Sequence, residues 1–391
     1  VSTRYDAIVL GLGAMGSAAL YQLAKRGARV LGIDRHAPPH GFGSSHGDTR
    51  ITRLAIGEGA HYTPLVKRSH GIWRAIERES GESLMTQTGG LIVSSEAKTA
   101  VTHVARFFQN TVDAANAHGV AHEMLDTTEL RRRFPQFAIR DSEIGYYEPE
   151  AGFVRPEACI RAQLSLAEKH GAEIHTGETA LSFDSSGSAA TVTTDRAAYA
   201  ADTLIVAAGP WLPGALGEKL AHYFKIYRQV QFWFDAKDNI DPFLPERFPI
   251  FIWELQQSRQ GIYGFPAIDG PRGGVKIASE QYGSEVTPDD IARDVSAAEI
   301  TAMYEIYVAP NLPGLSGRCI KAASCLYTVT PDFQFVIDRH PDMRRVIVAS
   351  PCSGHGFKHS AATGEALAAL ATENENPFDL SAFGFARLYR S

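Results

Sequence analysis

Tyr5-Asp6-Ala7-Ile8-Val9-Leu10-Gly11-Leu12-Gly13-Ala14-Met15-Gly16 opens a unit that closes on Asp34. The apolar run Tyr5–Leu10 reads as a short strand. Gly11, Gly13 and Gly16 form a G-x-G-x-x-G turn, and a helical pattern follows over Ser17–Gly27. A second apolar run, Ala28–Ile33, leads to Asp34, eighteen residues past Gly16. Strand, glycine turn, helix, strand and acid in this order make a dinucleotide-binding βαβ unit. Gly11 allows the tight turn, Gly13 lets the backbone approach a pyrophosphate, and Gly16 lets helix and strand pack closely. Unpaired N–H groups and the positive dipole end of the helix face the phosphates. Asp34 can accept a hydrogen bond from a ribose 2′-OH. The motif does not itself separate NAD from FAD.

Composition bounds the rest. The chain has 391 residues, 44% of them hydrophobic, enough for a large core and for two or more domains. The net charge of −6 is spread along the chain, with no basic block of the kind that nucleic acid requires. No apolar run approaches the ~20 residues of a membrane span. The first residues run straight into a strand, so no signal peptide is expected. Cys159, Cys319, Cys325 and Cys352 are scattered and lack metal-ligand spacing. A cytoplasmic enzyme with reduced thiols and no bound metal is the expectation.

Residues 37–53 form a second informative stretch: Pro and Gly first, then hydroxyls, His46, Arg50 and Arg53. Such residues collect in ordinary loops. If a helix begins near Thr49, however, Arg50 and Arg53 share one face. Two guanidiniums so placed suit an anion, either a substrate carboxylate or a cofactor edge.

Farther on, Pro156–Gly171 reads as a helix. Ala172–His175, Ala189–Thr194 and Asp202–Trp211 read as strands, the last ending in a Gly-Pro turn. Residues 222–325 carry β-leaning aromatic stretches: Tyr227–Phe234, Ile250–Trp253 and Ile262–Phe265. Strands at Phe333–Asp338 and Val346–Ala349 then precede a turn and an apolar helix, Ala361–Ala371. The expected fold is α/β (α+β): a Rossmann-type βαβ domain with an interleaved substrate domain on a mostly antiparallel sheet. The expected division is 1–85, 151–220 and 326–391 for the cofactor, and 86–150 and 221–325 for the substrate.

Six motifs in order carry a family resemblance: Gly11–Gly16; Ser45-His46-Gly47-Asp48-Thr49-Arg50 with Arg53 behind it; Tyr263-Gly264-Phe265-Pro266; Val275-Lys276-Ile277; Cys325-Leu326-Tyr327-Thr328; and Ser353-Gly354-His355-Gly356-Phe357-Lys358. Over nearly its whole length the chain resembles the monomeric sarcosine oxidase and N-methyltryptophan oxidase family of the D-amino-acid-oxidase-like FAD superfamily. The resemblance implies FAD rather than NAD, a flavin bound covalently through a cysteine sulfur, and oxidation of a secondary amino acid by O2. The imine formed would hydrolyse to amine and aldehyde, with H2O2 as the other product. A monomer is also implied.

By resemblance, Cys325 is the flavin-linking cysteine. Thioether formation needs a thiolate, and Arg318 and Lys321, close in sequence, are candidates to favour it. A buried small hydrophobe is the plainer reading of Cys325, and Cys319 is its rival. Lys276 matches the lysine over the flavin face where O2 is reduced, where a cation in a water-poor site favours developing negative charge. A solvated lysine at a strand edge is the alternative. His46 and Arg50 match residues beside the flavin ring. Arg53 and Lys358 match the pair that holds the substrate carboxylate, through a two-pronged grip and a point charge. Tyr263 matches an active-site tyrosine, and the Gly354–Phe357 run matches a loop whose N–H groups meet the flavin pyrimidine edge. Met15, Ser45 and Thr49 belong to the same cofactor-facing motifs.

Two positions depart from the family pattern. Glu280 stands where the family usually has histidine, and Ile56 where sarcosine oxidases have tyrosine. A carboxylate at 280 can pair with a substrate ammonium, or turn to Arg50 or Lys276. It points away from sarcosine and toward a different, larger secondary amine. A dehydrogenase with an acceptor other than O2, and a flavin-binding accessory protein without oxidase activity, are the alternatives.

Overall fold

The computed structural model describes residues 4–100 and 103–390. Three sheets organise the chain. The first has eight strands. Its path runs Ala180–Ser186, Ala189–Thr194, Ala198–Val206, Arg4–Leu10, Val30–Asp34 and Glu173–Thr176, with Val346–Ser350 and Val336–Arg339 attached beside Ala198–Val206. Arg4–Leu10 pairs in parallel with Val30–Asp34 on one side and with Ala198–Val206 on the other. Strands buried on both faces read as continuous apolar runs, and Val30–Asp34 is buried at every position.

The helix Ala14–Lys25 follows the first strand directly, as the sequence predicts. It packs against the helices Pro156–Lys169 and Ser360–Ala371 in one apolar cluster that includes Ala19, Leu20, Leu23, Leu164 and Leu367. Small residues set its depth. A Cβ on Gly16 would lie 1.7 Å from the Gly11 carbonyl oxygen, so only glycine permits this approach of helix to turn.

The second sheet also has eight strands, in the order Leu315–Val329, Lys225–Ala236, Val275–Ser279, Ile262–Phe265, Ile250–Trp253, Gly90–Ser94, Ile144–Glu148 and Glu123–Leu125. Its pairs are antiparallel except where Ile250–Trp253 meets Gly90–Ser94 in parallel. The aromatic stretches read from the sequence all lie here, with Phe232, Phe234, Phe251 and Trp253 in a second apolar core. Leu315–Val329 runs unbroken through residues 325 and 326, where a domain boundary is predicted. The strand expected at Phe333–Asp338 is shorter and begins later, at Val336–Arg339. Phe333 adopts φ +56°, and Thr330 Oγ1 donates to the Gln334 carbonyl at 2.6 Å, so a turn occupies its first half.

A third, small sheet takes the place of the helix that could have begun near Thr49. Arg50–Thr52 is a strand, antiparallel to Gly152–Val154, which in turn pairs with Met85–Gln87. Successive side chains on a strand alternate sides, so Arg50 and Arg53 do not form the shared face that a helix would have provided.

Candidate functional site

Two cavities meet between the sheets. One, of about 600 Å³, runs from Gly11, Gly13 and Met15 past Asp34 to Cys352, Gly354 and Phe357. The other, of about 420 Å³, is lined by Arg53, Glu58, Tyr263, Lys276, Glu280 and Lys358 among others. Arg50, Tyr327, Gly354 and Phe357 border both, so they form the wall between them.

The larger cavity suits a dinucleotide. Gly13 caps the Ala14–Lys25 helix without any side-chain hydrogen bond, and a Cβ there would meet only the Ser45 hydroxyl, at 3.6 Å. Ser45 Oγ accepts from the Ala14 N–H at 3.3 Å. Asp34 is tied inward: it accepts from Leu12 N at 2.7 Å and from His36 N at 2.8 Å, bracing the glycine turn while still bordering the cavity. Along the wall, Ser44 Oγ, Thr328 Oγ1 and Ser350 Oγ are buried without a partner among the described residues. Buried polar atoms ordinarily have partners, and these fit a polar ligand lying along that wall. The residues present therefore fit FAD.

Of the residues matched to the flavin ring, Arg50 borders both cavities and Lys276 lines the smaller one. Arg50 donates to the Thr49 carbonyl at 2.8 Å and the Ser44 carbonyl at 2.7 Å. His46 has a buried Nε2 with no partner among the described residues, and burial followed by the charges of Arg50 and Lys276 pushes it down to about 3. Lys276 pairs in register with Trp233 and Phe265. Its Nζ donates to Gly47 O at 2.7 Å, Thr49 O at 2.9 Å and Thr49 Oγ1 at 3.3 Å. It also lies 4.7 Å from the centre of the Phe265 ring and 5.2 Å from that of Trp233. It is buried, not solvated at a strand edge, and burial followed by Arg50 holds its ammonium well below the usual lysine range.

Cys325 is buried, and its sulfur accepts from Gln231 Nε2 at 3.1 Å. The cations proposed from sequence to act on it are engaged elsewhere. Arg318 meets Asp235 at 3.2 Å, and Lys321 meets Asp48 at 2.5 Å while lying over the Trp233 ring. Cys325 is one of the groups that act on the buried Lys276 and favour its charged form. Cys319 donates to the Lys321 carbonyl.

The smaller cavity ends in a buried three-charge cluster. Arg53 donates to the Ala55 carbonyl and, at 2.7 Å, to Glu58 Oε2. Lys358 Nζ lies 3.9 Å from Glu58 Oε1 and donates to the His355 carbonyl at 2.7 Å. Burial alone would raise the Glu58 carboxyl, but Arg53 and then Lys358 draw it well below its ordinary value. Burial lowers Lys358 to about 8, against the pull of Glu58. Two cations face one carboxylate, and Arg53 Nε is buried without a partner among the described residues. The cluster therefore has room, in charge and in hydrogen bonds, for one more carboxylate. Tyr263 donates to or accepts from Tyr327 across 3.3 Å, and burial raises its hydroxyl pKa.

Glu280 meets neither Arg50 nor Lys276. Its Oε2 lies 2.8 Å from His103 Nδ1. His103, Glu58 and Gln231 are absent from the sequence reading. A glutamate between two glycines and a histidine after a polar stretch look like solvated loop residues, and nothing local marks them as buried.

Residues 6–370 match the family model of FAD-dependent oxidoreductases, DAO. The chain is 41% identical over 389 residues to a monomeric sarcosine oxidase of Streptomyces avermitilis, with 99% of each covered. It is 32% identical over 387 residues to an N-methyl-L-tryptophan oxidase of Yersinia pestis, covering 98% of this chain and 99% of the relative. Among solved structures, NikD, an unusual amino acid oxidase essential for nikkomycin biosynthesis, shares the fold with a TM-score of 0.83 at 23% identity and 98% of each chain covered. L-proline dehydrogenase from P. horikoshii does so with a TM-score of 0.81 at 19% identity, covering 100% of this chain and 99% of that one.

Proposed function

The chain belongs to the DAO family of FAD-dependent oxidoreductases, and from that premise we propose that it oxidises a secondary, N-alkyl amino acid with O2 as electron acceptor. The observation that carries this reading is the junction of the two cavities. A dinucleotide-sized groove and a carboxylate-ready pocket share the wall of Arg50, Tyr327, Gly354 and Phe357.

FAD held in the larger cavity by the Gly11–Gly16 turn and the Gly354–Phe357 run would supply hydride acceptance from the carbon next to nitrogen and electron delivery to O2, with H2O2 as product. The chain's own residues position and select. Arg53 and Lys358 hold the substrate carboxylate, which fixes the neighbouring C–H relative to the wall. Lys276 sets a cation among aromatic faces beside that wall, where negative charge is worth more than in water. His46, held neutral, and Arg50 frame the same place, as Tyr263 does from the substrate side. The Gly11–Gly16 turn and Gly354–Phe357 hold the two ends of the cofactor. The imine released hydrolyses in water to amine and aldehyde.

Three finer points belong to the same proposal. Cys325 carries the flavin covalently, on its place in the motif and its burial near Lys276. Residues 1–85, 151–220 and 326–391 serve the cofactor and residues 86–150 and 221–325 the substrate, with the seam lying inside the strand Leu315–Val329. The enzyme works as a cytoplasmic monomer, an expectation that its four free cysteines and the name of its monomeric relatives suit.

The substrate is larger than N-methylglycine. A cavity of about 420 Å³ with Phe107, Ile252, Trp253 and Ile262 in its wall has room for an apolar side chain. The purified yellow protein should bleach anaerobically with an N-methyl amino acid of large apolar side chain and return peroxide in air. It should prefer that substrate to sarcosine in kcat/KM. Colour should stay with the acid-denatured chain and leave it in Cys325→Ser. A colourless protein that takes up no FAD would overturn the whole reading.

A further inference from the structure

Glu280 and His103 form a pair in the smaller cavity, apart from the carboxylate cluster of Arg53, Glu58 and Lys358. Both line the cavity of about 420 Å³. Glu280 stands one residue beyond the strand Val275–Ser279 and four beyond Lys276, and His103 reaches it from 177 residues away. A carboxylate only accepts, so in the neutral ring the hydrogen sits on Nδ1 and donates to Glu280 at 2.8 Å. That leaves Nε2 as an acceptor. It is buried and has no partner among the described residues. Phe333, with its ring centre 5.3 Å away, and His355, stacked at 6.0 Å, hold the imidazole in place.

The position is next to the carboxylate site. The same His355 ring has its Nδ1 4.0 Å from Glu58, the residue that joins Arg53 and Lys358. In an amino acid whose carboxylate sits on that cluster, the nitrogen lies two bonds from the carboxylate carbon. That keeps it close to the cluster, in the cavity that His103 also lines. A secondary ammonium titrates near the lysine range, about 10, and its nitrogen lone pair must be free before the neighbouring C–H can leave as hydride. The proton needs an acceptor.

We propose that His103 takes the proton of the substrate ammonium at Nε2, with Glu280 as the positioning residue that fixes the ring and stabilises the imidazolium. The inference rests on the amine-oxidation reading. The balance is simple: the N–H bond of the ammonium breaks, an N–H bond forms at Nε2, the amine keeps its electron pair, and no electrons change hands. The proton later returns to solvent. The charged and titratable groups facing His103 are Glu280, Glu58, Lys358 and His355. His355 is pushed down to about 3, chiefly by burial, so it stays neutral and does not compete. Burial lowers His103 too, but Glu280 and then Glu58 outweigh it and the net shift is upward, toward working pH. The arrangement also removes a difficulty. A bare Glu280 would hold the ammonium charged, whereas a Glu280 bonded to His103 turns the same negative charge to favouring the imidazolium that forms.

The test is anaerobic bleaching of the FAD-loaded protein by N-methyl-L-phenylalanine, followed from about pH 6 to 10. Wild type should show a rising limb as His103 loses its proton. His103→Gln should slow bleaching roughly tenfold or more near neutral pH and recover toward wild type where the substrate amine is already free. Glu280→Gln should move the limb to lower pH, because the imidazolium loses its counter-charge. Propionate, a carboxylate without an amine, should perturb the flavin spectrum with unchanged Kd in both variants. A His103→Gln deficit equal at every pH, or a limb unmoved in Glu280→Gln, overturns the inference and leaves amine oxidation standing. If His103→Gln does not fold, the Glu280→Gln profile decides alone. A wild type that no N-methyl amino acid bleaches overturns both.

Discussion

Glu58 governs what Arg53 and Lys358 can do. Its side chain and that of Arg53 are 4% and 3% exposed, so these charges depend on each other instead of on water. Removing one member of a buried set leaves the others uncompensated, which typically costs about 3–5 kcal/mol. Glu58→Ala should therefore lower the unfolding free energy by roughly 3 kcal/mol, read by urea titration of the FAD-loaded protein. A loss indistinguishable from that of an exposed Glu→Ala change would show that the cluster is wetter than its geometry. Lys358 supplies a pH prediction. Its folded value is lowered to about 8, so it is charged below that pH and neutral above it. Propionate affinity should fall as pH rises through that region, since one of the two cations is lost. Lys358→Met should bind more weakly at neutral pH and lack that limb. An equally steep fall in the variant would place the titration on another group. Little of this was legible in the chain. Arg53 and Lys358 were read as partners through motif resemblance, but Glu58 carries no local mark of burial.

At the scale of elements, the helix Ala14–Lys25 connects cofactor to core. Its first turn faces the larger cavity while its other face meets the helix Ser360–Ala371. A Cβ on Gly364 would lie 2.5 Å from both the backbone carbon and the Cβ of Ala18. Gly364→Ala forces the two helices apart, and overpacking of this kind costs about 1–3 kcal/mol. The expected result is a lower Tm together with weaker FAD retention, because the displaced helix carries the glycine turn. An unchanged Tm would mean that the helices slide apart freely. The βαβ unit and both flanking helices were readable because apolar periodicity and turn chemistry are local. The strand Arg50–Thr52 stands where local pattern left a loop or a helix start open. Its pairing with Gly152–Val154 comes from a distant segment and overrides local preference.

For the molecule as a whole, the FAD cavity is assembled from segments near residues 11–50, 178–217 and 327–357. A ligand that bridges such segments stabilises the folded chain by mass action, by about 2.7 kcal/mol at a hundredfold excess over Kd. Cys325→Ser protein, stripped of FAD, should therefore melt lower than the loaded form and recover in proportion to added FAD. A melting temperature independent of FAD would disconnect the cavity from the cofactor. No helix among the described residues is long and apolar enough to cross a membrane, which agrees with the short apolar runs in the sequence.

The dinucleotide unit could be identified from the chain alone, because strand, turn, helix and acid all lie within its first 34 residues and each follows from local sterics and periodicity. The aromatic strands of the second sheet were legible for the same reason. Long-range folding decided the partners of the charged groups. Lys276 reaches Gly47 across 229 positions, His103 reaches Glu280 across 177, and Lys358 reaches Glu58 across most of the chain. Burial and proximity set how strongly such charges act on one another, and both are properties of the folded volume, not of neighbours in sequence.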